Sequence, residues 1–140
     1  MTNSRIAVMY DFDRTLCTKD MQEYSFIPSI KMSSKDFWAE ANDLAKKNKM
    51  DSILAYMYLM LDKAKREKRP VRRDDIVSLG KTLDFYPGID TWFDRVNRFA
   101  NENDSEVEHF VISSGLREII EGCGIYKNFR EVYACEFFYD

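Results

Sequence analysis

A short apolar run that stops on two acidic residues constrains this chain more than any other feature. Residues 5–10, Arg-Ile-Ala-Val-Met-Tyr, are rich in strand formers, and the chain then enters Asp11-Phe12-Asp13-Arg14-Thr15-Leu16. A continuous apolar run bounded by polar residues predicts a buried strand of a parallel sheet. Residues two apart on an extended chain face the same side, so Asp11 and Asp13 can converge on one site. Two neighbouring carboxylates repel each other unless they share a cation or a proton. Hard oxygen ligands of this kind suit Mg²⁺, which commonly sits between a carboxylate or two and a substrate phosphate. One carboxylate can then attack phosphorus while the other acts as general acid and base. The competing use of the same residues is a solvated turn with a helix cap. Their position at the end of an apolar strand favours the chemical use.

A second strand end matches the first. His109-Phe110-Val111-Ile112 is apolar and is followed by Ser113-Ser114-Gly115. In open parallel sheets, ligands bind beyond the carboxyl ends of the strands. Serine at a strand-to-helix turn is commonly only an N-cap. Paired with Asp11 and Asp13, the Ser113 hydroxyl and the backbone N–H groups of Ser114 and Gly115 become a candidate phosphate-binding turn, since free donors and the dipole at a helix start attract anions.

Between these strand ends the pattern is helical. Ser34 is the expected N-cap of a helix whose stripe is Phe37, Ala41, Leu44 and Ala45. A second helix from about Asp51 shows Ile53, Leu54, Met57, Tyr58 and Leu61 at spacings of three and four, and it ends before Pro70. A third begins near Arg73 and carries Ile76 and Leu79, before the turn Tyr86-Pro87-Gly88. Ile89, Trp92, Phe93, Val96 and Phe99 mark an amphipathic helix, 101–105 a polar loop, 116–121 a short helix, and 132–138 a third strand. Strand, helical insert, helix, strand, helix, strand predicts an α/β fold: a doubly wound parallel sheet with an inserted helical lobe.

The stretch Ala-Val-Met-Tyr-Asp-Phe-Asp-Arg-Thr-Leu resembles the first motif of the haloacid dehalogenase superfamily, and Phe-Val-Ile-Ser-Ser-Gly resembles the second. Tyr86-Pro87-Gly88-Ile89 is similar to the turn that returns the chain from a helical cap, and Val132-Tyr133-Ala134 to the third strand of phosphoserine-phosphatase-like members. The resemblance implies a Rossmann-like core at residues 1–18 and 84–140 and a helical cap at 19–83. It implies Asp11 as nucleophile, Asp13 as acid and base, and Ser113, Ser114 and Gly115 around the phosphate. Mg²⁺ would be held by the Asp11 carboxylate and the backbone carbonyl of Asp13. The expected activity is hydrolysis of a small phosphate monoester through an aspartyl-phosphate. The alternatives are a phosphate-binding or regulatory module without turnover, and a phosphotransferase such as a mutase. The family also uses a lysine and an acidic pair on a fourth strand, and neither is recognisable. Lys127 lies in a loop before the third strand, and Asp140 is the last residue. The expectation is a core that stops after its third strand, with the first strand as an exposed edge through which two copies pair.

Composition narrows the partners. The 140 residues are 45% hydrophobic and 32% charged with a net charge of −3, which suits a packed globular domain and gives no electrostatic reason to bind nucleic acid or an anionic membrane. The basic clusters at 46–49 and 63–73 read as solvated helix faces. No apolar run is long enough to span a bilayer. Cys17, Cys123 and Cys135 have neither disulfide nor zinc spacing, so a reduced, cytoplasmic protein is expected. His109, the one histidine, precedes a strand rather than ending one and is expected to pack or face solvent. Asp20, Gln22 and Glu23 follow the first motif closely enough to face a substrate.

Overall fold

The computed structural model describes residues 4–140. Three parallel strands, β1 (Ser4–Tyr10), β2 (Ser105–Leu116) and β3 (Phe129–Cys135), form a sheet in the order β1-β2-β3. Ser4 pairs with Ser105 and Tyr10 with Val111, so the whole helical insert is threaded between two neighbouring strands. That insert holds a 3-10 turn at Met21–Glu23, α1 (Phe26–Ser29), α2 (Ser34–Asn48), α3 (Ser52–Arg66), α4 (Arg73–Ser78) and a 3-10 turn at Leu79–Thr82. The return runs through α5 (Ile89–Glu102) to β2, and α6 (Arg117–Glu121) leads to β3. The α/β class and the parallel sheet are as the sequence predicts.

Successive right-handed crossovers in one direction place their helices on one face of a sheet. On that face Phe93 of α5 meets Tyr10, His109 and Phe129 edge-on at centroid distances of 5.8, 5.1 and 5.4 Å. Val111 and Val132 are buried in the cluster that contains Ile119 and Ile120 of α6. The opposite face is bare among the described residues: Met9, Ile112 and Tyr133 are more than half exposed. β1 is thus an apolar strand but not a buried one, which corrects the reading of residues 5–10. Its apolar run fits a strand meant to be covered on both faces, and α5 covers one of them.

Open-facedness also explains why β2 begins earlier than the apolar run at 109–112. Glu106 and Glu108 alternate with Val107 and His109, and Glu108 pairs with Arg5 at 2.9 Å and Arg130 at 2.7 Å across three strands. The strand takes its start from alternation, with charge on the solvated face. β3 likewise starts three residues early, with Phe129 opposite His109. Beyond Cys135 the chain is drawn onto α6, where Glu118 Oε1 accepts from Phe137 N–H and Tyr139 O–H, both at 2.8 Å.

Two helical expectations are also corrected. The cap of α2 is Ser33, not Ser34: its Oγ accepts from Asp36 N–H at 3.1 Å and donates to the Asp36 carboxylate at 2.8 Å. With Ser33 as cap the third helical position is acidic and can answer the serine, whereas from Ser34 it would be Phe37. On α3 the buried stripe is Ala55, Tyr56, Leu59, Met60 and Ala64, while Leu54, Tyr58 and Leu61 are exposed. This helix is apolar around most of its circumference, so spacing allows two stripes. The small Ala55 and Ala64 let one side approach closely, and that side wins.

Candidate active site

The chain leaves β1 in a tight turn. The Phe12 carbonyl accepts from the N–H groups of Thr15, Leu16 and Cys17 at 3.2, 2.9 and 3.3 Å, and Arg14 takes a left-handed φ of 59°. Phe12 is fully buried, which pins the turn and sets the two aspartates on either side of it. Asp11 is exposed, and its Oδ2 accepts from Thr15 Oγ1 at 3.0 Å. Asp13 is half-buried, and its Oδ1 accepts from Met21 N–H at 2.9 Å. Burial pushes the Asp13 carboxyl up to about 7, aided by the negative charges of Asp20 and Asp11 and opposed by the Met21 hydrogen bond. At neutral pH this group is therefore poised between holding and releasing a proton.

The three side chains of the Met21–Glu23 turn have different surroundings. Met21 is buried, and its sulfur accepts from Leu116 N–H at 3.1 Å, tying the insert to the end of β2. Glu23 Oε1 accepts from Trp38 Nε1 at 3.2 Å and from Arg14 Nη2 at 3.4 Å. Gln22 is buried and its Oε1 has no hydrogen-bond partner among the described residues.

Beyond Ile112, Ser113 Oγ accepts from Gly115 N–H at 3.0 Å, and the Ser114 carbonyl accepts from Tyr56 O–H of α3 at 2.7 Å. Gly115 lies in close approach to the end of the Met21 side chain. A Cβ there would lie 2.2 Å from Met21 Cε and 2.8 Å from its sulfur.

Asp13, Ser114 and Gly115 line the core side of a cleft of about 260 Å³. Asp20 and Gln22 of the insert also line it, and Trp38, Asn42 and Tyr56 from α2 and α3 form the wall contributed by the helices. Asp11 stands at the β1 end outside that lining, with Ser113 folded back on its own turn. Sequence reasoning located the near wall and missed the helical one, where Trp38, Asn42 and Tyr56 look like ordinary helix residues. The only signal was a tyrosine hydroxyl in an apolar helix, which asks for a partner when buried. Cys17 is buried and its thiol is pushed up to about 12 by burial and Asp13, so it packs and does not react as a thiolate. His109 is buried on the sheet, bonded to the Tyr10 hydroxyl and Asn97 Oδ1 at 2.9 Å each, and does not line the cleft.

A family model for haloacid dehalogenase-like hydrolases matches residues 8–140. A protein of Borreliella burgdorferi, named only as uncharacterized, is 29% identical over 144 residues, covering 94% of this chain and 50% of that protein. The crystal structure of a HAD family hydrolase from Salmonella enterica serovar Typhi superposes with a TM-score of 0.64 at 14% identity, over 99% of this chain and 42% of that one. The chain thus spans about half the length of the relatives it matches. At that identity the structural likeness speaks for the fold.

Proposed function

The chain belongs to the haloacid dehalogenase-like hydrolase family, and on that premise we propose that it carries the nucleophile side of a Mg²⁺-dependent phosphohydrolase acting on a small phosphate monoester. The observation that supports this most is the pairing of an exposed Asp11 with an Asp13 whose carboxyl is pushed up to about 7. Two carboxyl groups whose environments differ this much suit two different roles.

In the proposed reaction an Asp11 oxygen attacks phosphorus, and the P–O bond to the alcohol breaks. Protonated Asp13 gives its proton to the departing alkoxide oxygen. The aspartyl-phosphate is then opened by water, whose proton returns to Asp13, so the cycle ends with free phosphate and both aspartates restored. The N–H of Met21 fixes Asp13 Oδ1 and leaves the second oxygen to carry the proton. Thr15 steadies Asp11 in the same way.

Among the described residues no group of three or more His, Cys, Asp or Glu could hold a metal ion. The site offers the Asp11 carboxylate and the Asp13 backbone carbonyl. Mg²⁺ is often bound through only one or two carboxylates, with phosphate oxygens and waters completing its shell, so these residues fit it as part of a set. When bound, the ion supplies a positive charge that lets a carboxylate approach a phosphate dianion.

No helix among the described residues is long and apolar enough to cross a membrane. Three free cysteines support a reducing, cytoplasmic setting for the proposed activity.

Release of free phosphate from p-nitrophenyl phosphate, with water as sole acceptor, tests the reading. Asp11→Asn is expected to abolish Mg²⁺-dependent release, and Asp13→Asn to lower it by about 10²–10⁴-fold. Hydrolysis unchanged by Asp11→Asn would remove the nucleophile. Turnover only with an added alcohol acceptor would make the protein a phosphotransferase.

A further inference from the structure

Gln22 is 1% exposed, it lines the cleft, and its Oε1 is buried without a hydrogen-bond partner among the described residues. A buried polar atom left unpaired costs roughly 1–3 kcal/mol, so an unfilled acceptor in a cleft wall is a feature in need of a partner. The partner's chemistry can be read from the wall around it. A neutral carboxamide offers an acceptor and a donor side by side, and a hydroxyl is the smallest uncharged group that can answer either.

Charge narrows the choice further. The cleft is lined by two acidic residues, Asp13 and Asp20, and by no lysine, arginine or histidine. A ligand with a second anionic group would find no cation in the lining to pair with, and burying it unpaired would be costly. An ammonium group would need a free carboxylate, but Asp20 is held at both oxygens by Arg14, at 3.1 and 3.2 Å. Size sets the remaining limit. At about 260 Å³ the cleft lies below the roughly 300–1,000 Å³ of pockets that take drug-sized ligands.

We propose that Gln22 is a specificity-determining residue, and that the cleft takes the alcohol part of a phosphate ester, a compact polyhydroxylated group carrying no second charge, one hydroxyl of which bonds the Gln22 carboxamide. The inference rests on the phosphohydrolase reading of Asp11 and Asp13 and names the kind of alcohol that leaves. Trp38 and Tyr56, packed edge to face at 5.7 Å, give the carbon chain an aromatic surface to lie against.

The test compares glycerol 1-phosphate with n-propyl phosphate, which has the same carbon chain and no hydroxyls. The native protein is expected to favour glycerol phosphate in kcat/KM by at least about tenfold, and Gln22→Leu to shrink the ratio to within about twofold. Because leucine removes an unpaired buried acceptor, the variant should also melt a few degrees higher. A purely structural glutamine would give the opposite sign in melting and leave the ratio alone.

Equal turnover of the two esters by the native protein, or an unchanged ratio in Gln22→Leu, overturns the assignment and leaves the phosphatase standing. Equal native turnover overturns the assignment even where the variant does not fold. The side-chain amide signal of Gln22 in ¹⁵N NMR gives a readout independent of turnover. A shift with glycerol phosphate but not with propyl phosphate supports the assignment, with or without hydrolysis. No turnover and no shift with either ester overturns the reading of the site, and the assignment with it.

Discussion

The backbone N–H of Met21 donates to Asp13 Oδ1 at 2.9 Å, so the proposed acid is held by the helical insert although it grows from the end of a core strand. Its proton affinity and the docking of the insert are therefore one property.

That property has a pH signature. An aspartate of ordinary affinity titrates near 4 in the unfolded chain. In the folded protein, burial raises Asp13 to about 7. Between those values the folded state holds a proton that the unfolded state has released, so stability is fully present at low pH and declines as pH rises through about 7. Asp13→Asn keeps an acceptor for Met21 and removes the titration. In urea unfolding it should match the parent at pH 4 and exceed it at pH 8 by on the order of 3 kcal/mol. Parallel behaviour at both pH values would mean that the carboxyl is not desolvated.

Gly115 and Met21 should be energetically coupled. Met21→Ala removes a buried side chain and is expected to cost about 2–5 kcal/mol. Gly115→Ala drives a methyl into Met21 Cε and Sδ, atoms at the end of a flexible side chain, so the methionine moves and the cost stays near 1 kcal/mol. In the Met21→Ala background that clash is gone, and Gly115→Ala should become close to neutral. A double-mutant cycle from denaturant titrations measures the difference, and strict additivity would show that the two do not touch.

The bare sheet face and β1 edge should drive self-association. Ile6 and Met9 are exposed on a strand whose outer edge pairs with nothing among the described residues. Light scattering is expected to show a mass that climbs with concentration, and Ile6→Lys with Met9→Lys should hold the protein monomeric, as charge on an edge strand does. A constant monomer mass in the parent would dispose of the idea.

How much of this was legible beforehand follows from the range of the interactions. The near wall of the cleft could be read because Asp13, Ser114 and Gly115 sit at strand ends, where chain direction alone fixes which residues border the space beyond the sheet. Trp38, Asn42 and Tyr56 could not, since only the docking of α2 and α3 brings them opposite those strand ends. Glu118 was equally hidden. A glutamate in a short helix reads as solvent-facing, yet it is buried because the chain after β3 folds back to give its carboxylate two donors. The stripe on α3 failed for a different reason: spacing cannot choose between two apolar faces, and the choice fell to the small residues that permit close packing.

The register of β1 against β2 also sets a timetable. On a ribosome adding about 5–20 residues each second, Ser4 emerges some 5–20 s before Ser105, the residue it must pair with. The α2–α3 hairpin needs only local contacts and can form in that interval, which draws the ends of the chain closer before the strands meet. For those seconds an apolar ribbon travels without its neighbour, and the speed at which the insert folds decides how long a chaperone would need to shelter it.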